Sequence, residues 1–456
     1  MDLQSYGQNA DAYTAPASSF LPVFPYVALV RQRQQLRLLK FLPHTWHEGS
    51  IVHAITLQVF DQDTAPTYTA LSYEWGGTDD MKPVKIGSGY IWIRRNLHDF
   101  IEHYHDMGDT EKYFWIDQIC IDQQNVDEKN RQVARMAQIY SSAEEVLVWL
   151  GPCEQAKIAF EAVTIALEAF HSDPSVCDAW ATMPTARNVF SAAQKEEVIR
   201  LHDLPYWRRQ WIAQEIALAR KCTIIYGRET YPWHDLGFLN HYRDSHSDNF
   251  KAFWHSLGIR NSFEHFHWIT RMSTADQSHL KSWFPAMLYA KRSICSNPRD
   301  KVFGIQSVFP KELRVNVDYS LSAREVFAQA AWSYLRTVDL SVDTVNEGIE
   351  KLAEGMGILV HTPERQDWSR RDSRELWLYC RSNCEGFSEL ERRKFVFDII
   401  LDELLSGNRN PKLSDVWRIF EQEPEDRSRQ GDLLQRLLTS DAPIDLCHEP
   451  IILESE

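Results

Sequence analysis

"YTALSYEWGG", residues 68–77, decides the reading of this chain. Aromatic, β-branched and apolar residues carry a strand to its end, and the strand then stops on Trp75, Gly76 and Gly77. Glycines close a strand in a turn and also leave the backbone open to a ligand. The stretch therefore has two readings. In one, Trp75 packs over a sheet beside an ordinary turn; in the other, Ser72, Tyr73, Trp75 and Gly76 offer polar and stacking contacts to a bound molecule.

Working outward, "LRLLKFL" and "IVHAITLQVF" precede this strand as two further apolar, β-branched runs. "NLHDFIEHYHDM", from Asn96, has helical spacing with Leu97, Ile101 and Tyr104 on one side, and it leads into "KYFWIDQICI", an apolar run of buried-strand type. Val133, Met136, Ala137 and Tyr140 then space as one amphipathic helix, and "EEVLVWLG" reads as a short strand closed by glycine. This alternation predicts an α/β layered fold. Residues 151–205 read as a helical insertion. "PYWRRQWIAQEIALARK" follows as a helix with Pro205 in its first turn, and "CTIIYG" as the strand after it. The expected organisation is a flexible leader over 1–18, the main domain over 19–335 and a helical C-terminal subdomain over 336–456.

The net charge of -15 and the lack of any dominant Lys/Arg cluster argue against nucleic acid as a partner. Eight scattered cysteines in 456 residues are unlike a disulfide scaffold and predict reduced thiols. No signal-peptide pattern and no apolar run of membrane-spanning length occur in the sequence, so a soluble cytoplasmic protein without a membrane span is expected. Sixteen tryptophans predict partly polar pockets, because each buried indole N–H needs an acceptor.

The helix expected after Pro205 carries the sharpest candidate. With Trp211 at zero and about 100° per residue, Glu215 falls near 40° and Arg208 near 60°, inside the apolar arc. A carboxylate facing the interior is either paired for structure, with Arg208 as the partner at hand, or kept for catalysis. His98, Glu102 and His105 share helical spacing without forming the HExxH zinc pattern, "HFH" at 265–267 has no ligand partner nearby in sequence, and Cys380 with Cys384 make a single pair. These predict no metal site. GxGxxG, Walker and GxSxG motifs are absent from the sequence.

Four stretches together resemble the heterokaryon-incompatibility (HET) domain of filamentous fungi: "YTALSYEWGG", "FWIDQICIDQQNVDEKNRQVARMAQIYSSAEEVLVWLG", "YWRRQWIAQEIALA" and the later "NPRDKVFGI" with "VNVDYS". The resemblance implies a part in allorecognition and programmed cell death. HET domains are themselves similar to TIR domains, which implies a TIR-like, flavodoxin-like central parallel sheet flanked by helices. On that parallel, Trp211 and Glu215 match the Trp-x-x-x-Glu of the TIR helix, and Asp117 ends the second strand. The parallel implies Glu215 as the catalytic group for cleaving the nicotinamide–ribose bond of NAD. Ser72, Tyr73, Trp75, Gly76, Asp117, Arg208 and Trp211 are then the implied substrate contacts. NAD is the implied substrate, with no cofactor; self-association into homo-oligomers and a protein partner for triggering are expected. The alternative is a non-enzymatic signalling module acting through protein contacts.

Overall fold

The computed structural model describes residues 21–47, 50–106, 111–172, 190–236, 283–335 and 351–357. The leader over 1–18, "HFH" at 265–267, the cysteine pair 380/384 and nearly all of the C-terminal region over 336–456 lie outside the described residues.

Among the described residues nine strands form one mixed sheet: β1 Gln35–His47, β2 Ser50–Asp61, β3 Tyr68–Tyr73, β4 Met81–Ile86, β5 Gly89–Arg94, β6 Tyr113–Trp115, β7 Glu145–Trp149, β8 Cys222–Tyr226 and β9 Glu229–Pro232. Their order is β5-β4-β2-β1-β6-β3-β7-β8-β9. The centre, β6-β3-β7-β8, is parallel throughout. All six residues of β3 are buried, which explains why its sequence reads as a near-continuous apolar run rather than an alternating one. The expected central parallel sheet is thus present but extended on both sides by antiparallel pairs, β1 with β2, β4 with β5 and β8 with β9.

Counted along the chain, the parallel strands stand in the order second, first, third, fourth. The chain reverses its direction of progress across the sheet at β3 and β7. At such a reversal the connections leave toward opposite sides and open a crevice beyond the carboxyl ends of the strands. Trp75, Gly76 and Gly77 leave β3 at that end.

Helix α1, Arg95–Asp106, buries Leu97, Phe100, Ile101 and Tyr104 against the sheet, as its spacing predicts. Two expectations fail nearby. "KYFWIDQICI" is a strand only to Trp115; Asp117–Cys120 turns into a short helix, α2, with Gln118, Ile119 and Cys120 buried. A short apolar run satisfies a buried strand and a buried helical turn equally, so periodicity could not separate them. The helix expected through Val133 and Tyr140 is broken at Arg135, φ -106 and ψ 1, into α3, Val126–Ala134, and α4, Met136–Ser142. At the break the Arg135 guanidinium donates to the Gln35 carbonyl at 2.8 Å and to Gln62 Oε1 at 3.0 Å.

Among the described residues of 151–205 lie two helices, α5, Ala156–Ser172, and α6, Ala192–Asp203. The second opens with a reciprocal cap: Gln194 N–H donates to Ser191 Oγ and Ser191 N–H to Gln194 Oε1.

The segment from Pro205 is not one helix. Pro205–Arg208 makes a 3-10 turn, Arg209 is extended at φ -67 and ψ 138, and α7 runs over Ile212–Ala217. The reason is tertiary. Ile294, just past helix α8, Trp283–Arg292, pairs its backbone with this segment: Gln210 N–H donates to Ile294 O at 2.9 Å and Ile294 N–H to Arg208 O at 2.5 Å. Tyr289 OH adds a hydrogen bond to Arg209 O at 3.0 Å. Among the described residues no helix is long and apolar enough to cross a membrane.

A buried ion pair fixes the connection after α2. Arg37 on β1 meets Glu128 on α3 through two contacts, Nη1–Oε1 at 2.5 Å and Nη2–Oε2 at 2.9 Å, and both side chains are almost fully buried. Arg37 also donates to the carbonyls of Cys120 and Val27, and Glu128 accepts from Asp122 N–H. Removing one partner strands the other charge in the interior, so Arg37→Met is expected to destabilise the fold by about 3–5 kcal/mol. The double variant Arg37→Met, Glu128→Leu is expected to recover much of that loss. Urea unfolding of wild type, both singles and the double checks the pattern; additive single effects would contradict it.

Candidate functional site

A cavity of about 290 Å³ lies at the crevice, lined among others by Trp75, Gly76, Asp117, Arg209, Trp211 and Asp300. Its rim is built by hydrogen bonds from the elements behind it. Trp75 Nε1–H donates to Asp117 Oδ2 at 2.9 Å, and Asp117 Oδ1 accepts the Gln118 N–H at 2.7 Å. The Arg94 guanidinium stacks 4.9 Å from the Trp75 ring centre and donates to Gly76 O at 2.6 Å. Asn96 Nδ2–H donates to Glu74 O at 2.6 Å. Trp211 Nε1–H donates to Asp300 Oδ2 at 3.1 Å, and Tyr319 OH to Asp300 Oδ1 at 2.6 Å. Two indoles are thus held in place by two carboxylates.

Glu215 lies behind this wall. It is 1% exposed, and it does not line the cavity. Its Oε2 accepts a hydrogen bond from Ser72 Oγ, whose own partner on the other side is Tyr206 OH at 2.5 Å. Because Ser72 gives its proton to the carboxylate, Tyr206 is the donor to Ser72. Arg209 lines the cavity and also stands 3.7 Å from Glu215 Oε2, as an ion pair beyond hydrogen-bond range. Its Nη1 is buried and makes no hydrogen bond.

The charges follow from this placement. Burial pushes the Glu215 carboxyl up to about 7, with Arg209 and Ser72 pulling it back and Asp117 adding to the rise. Asp117 is also raised by burial, opposed by Arg209, Trp75 and Gln118. Burial works against the Arg209 charge, yet Glu215 first, then Tyr206 and Asp117, hold it positive. One guanidinium therefore serves two acids, the buried Glu215 and the half-buried Asp117.

The sequence-predicted residues separate into two groups. Trp75, Gly76, Asp117 and Trp211 line the cavity together. Ser72 joins Glu215 in the layer behind, and Tyr73, 1% exposed, donates to Gln118 Oε1 at 3.2 Å. Arg208 is corrected: its side chain is exposed, and Arg209 takes the position beside Glu215. The helical projection that placed Arg208 on the Glu215 face assumed an unbroken helix, and the extended Arg209 rotates everything before it out of phase. Arg209, Tyr206, Asp300 and Tyr319 were not predicted. Asp300 and Tyr319 do lie in the fourth stretch that carries the family resemblance, 297–305 with 315–320, and that was the available signal.

Residues 68–215 match the family described as "Heterokaryon incompatibility protein (HET)". A segment of 138 residues is 33% identical to "Heterokaryon incompatibility protein 6, OR allele" of Neurospora crassa, covering 28% of this chain and 20% of that protein. The match thus spans about a fifth of the curated relative. No solved structure matches the chain. The matched region begins with β3 and ends at Glu215, while Asp300 and Tyr319 lie beyond it.

The raised carboxyl has a consequence for stability. Between the ordinary 4.5 and about 7, the folded chain holds a proton on Glu215 that the unfolded chain has lost. The contribution of this group to stability is therefore greatest at low pH and falls as pH rises from 4.5 through about 7, by on the order of 3 kcal/mol. Glu215→Gln is expected to remove that slope. Urea unfolding across this window should give a wild-type-minus-variant difference that declines with pH and levels off above it; parallel curves would contradict the assignment.

Proposed function

We propose that this chain, whose residues 68–215 match the HET family, is a heterokaryon-incompatibility effector that triggers cell death by cleaving the nicotinamide–ribose bond of NAD in the cavity beside Arg209. The observation that carries the reading is the position of Arg209, with one side on a crevice at the strand-order reversal and the other on a buried carboxylate. Open α/β sheets bind ligands at such a reversal, and the second, first, third, fourth order of the parallel strands is the one a TIR-like core would have.

The chemistry asks little of the protein. Nicotinamide leaves as a neutral base from a cationic precursor, the ribose becomes oxocarbenium-like, and a carboxylate near it stabilises the developing charge in a water-poor pocket. Trp75 and Trp211 supply stacking faces. The substrate diphosphate would draw Arg209 toward the cavity and away from Glu215, leaving that carboxylate free to face the sugar. Asp117, already at the cavity wall, would hold ribose hydroxyls. The same reading has the protein act in the cytoplasm, with self-association favouring the open arrangement.

A second reading has its own observation. Glu215 is closed into the Tyr206–Ser72–Glu215 hydrogen-bond chain and does not line the cavity, as expected of a structural carboxylate in a non-enzymatic signalling module. Incubation of the purified chain with NAD, following nicotinamide release, separates the two. The enzyme reading expects turnover by wild type, a loss on the order of 10²-fold or more in Glu215→Gln, and a rise in KM in Arg209→Gln. No turnover by folded wild type at high concentration, with cell killing retained in Glu215→Gln, would establish the module instead.

A further inference from the structure

Lys301 is buried, 6% exposed, and follows directly on the Asp300 that holds the Trp211 indole. It does not line the cavity. Its ammonium donates to Ala290 O at 2.7 Å and to Ser293 O. Both carbonyls stand at the end of α8, where helix carbonyls have no partner further along the helix and a cation suits the dipole. An ammonium this deep is costly to bury unless such acceptors take up its protons.

The second carbonyl gives Lys301 more than a capping part. Ser293 C=O and Ile294 N–H belong to one planar trans peptide unit, so they point to opposite sides of it. Lys301 holds one side, and Arg208 O takes the other by accepting the Ile294 N–H at 2.5 Å. Turning this peptide would release both contacts at once. Ser293 Oγ adds a hydrogen bond to Gln210 Oε1. Gly304 closes the same grip from the other end of the turn Asp300–Phe303: a Cβ there would stand 2.8 Å from Gln210 Cγ and 3.3 Å from Trp211 Cδ2.

We propose that Lys301 is a positioning residue for the cavity, which by holding the Ser293–Ile294 peptide sets Arg209 toward the crevice and Glu215. Successive side chains of an extended segment point to opposite sides, so the bridge to Ile294 decides that Arg209 turns inward and Arg208 outward. The weight of Lys301 in turnover rests on the reading of Arg209 as the group that meets the substrate diphosphate; its hold on the bridge does not.

Two measurements on the full chain separate these claims. By amide hydrogen exchange, compared at urea concentrations of equal global stability, Lys301→Met is expected to exchange the Ile294 and Gln210 amides about 10–100-fold faster than Val302→Ala, a truncation of the fully buried neighbour, because a hydrogen bond from a charged donor is lost. With NAD, Lys301→Met is expected to raise KM more than it lowers kcat, and to add little in an Arg209→Gln background, since both changes act through one guanidinium. Should Lys301→Met not fold, Lys301→Gln, which keeps amide donors without the charge, is measured in its place and is expected to show the same pattern in smaller degree. Equal exchange in the Lys301 variant and Val302→Ala would overturn the proposal whether or not NAD is cleaved, and so would an additive loss in the double variant. Faster exchange at the bridge with no turnover by wild type would uphold the positioning role and remove the enzyme reading instead.

Discussion

The backbone bridge between Arg208–Gln210 and Ile294 is the constraint on which the site depends. Two hydrogen bonds draw this segment out of helical geometry and oblige Arg209 to run extended. With that, the side chain of Arg209 enters the interior while Arg208 is left in solvent. Had the helix continued from Pro205, its projection would set Arg208, not Arg209, on the face of Glu215. The residues that set the electrostatics of the cavity are therefore chosen by a contact some eighty positions away in sequence.

Arg209 opposes the burial of two acids and fully satisfies neither. It reaches Glu215 at 3.7 Å without a hydrogen bond, and its Nη1 is unpartnered. In a low-dielectric wall a guanidinium with spare donors is a ready anion site, since charge-assisted hydrogen bonds are the strong ones. An anion entering the cavity would compete with Glu215 for the same cation and so raise the carboxyl further toward its neutral form unless the carboxylate found a new positive partner. An oxocarbenium-like sugar is such a partner, which makes ligand binding and the release of Glu215 two sides of one exchange of charge.

Much of this was legible in the sequence; β4, β5 and β9 were not read from it, and the misplaced breaks have a common origin. The strands β1, β2, β3, β7 and β8 are read correctly because buried strands concentrate β-branched and aromatic residues between breakers. Helix α1 is legible from Leu97, Ile101 and Tyr104, and Trp75, Gly76, Asp117 and Trp211 do meet at one cavity. What escaped was every interruption imposed from outside the local segment: the turn at Asp117, the break at Arg135 and the extended Arg209. Periodicity records which face is apolar but not where a distant carbonyl takes a hydrogen bond away from the helix. The exchange of Arg208 for Arg209 is the cost of that blindness at a site where one residue of phase decides which cation is buried.

In the folded chain the opening turn both closes β3 and forms part of the cavity wall. Gly76 has φ +74, a left-handed conformation that L side chains rarely adopt, and it is held there while Arg94 takes its carbonyl and Asn96 takes that of Glu74. Both donors flank the start of α1, and Asn96 also accepts the Trp149 indole N–H from the end of β7, so helix and sheet together fix the turn. A glycine required by this geometry has no side chain to project into the crevice. The strain-free turn and the open cavity wall are consequences of the same missing atoms, and Trp75, anchored to Asp117, is presented at the cavity wall because the backbone after it can bend so sharply.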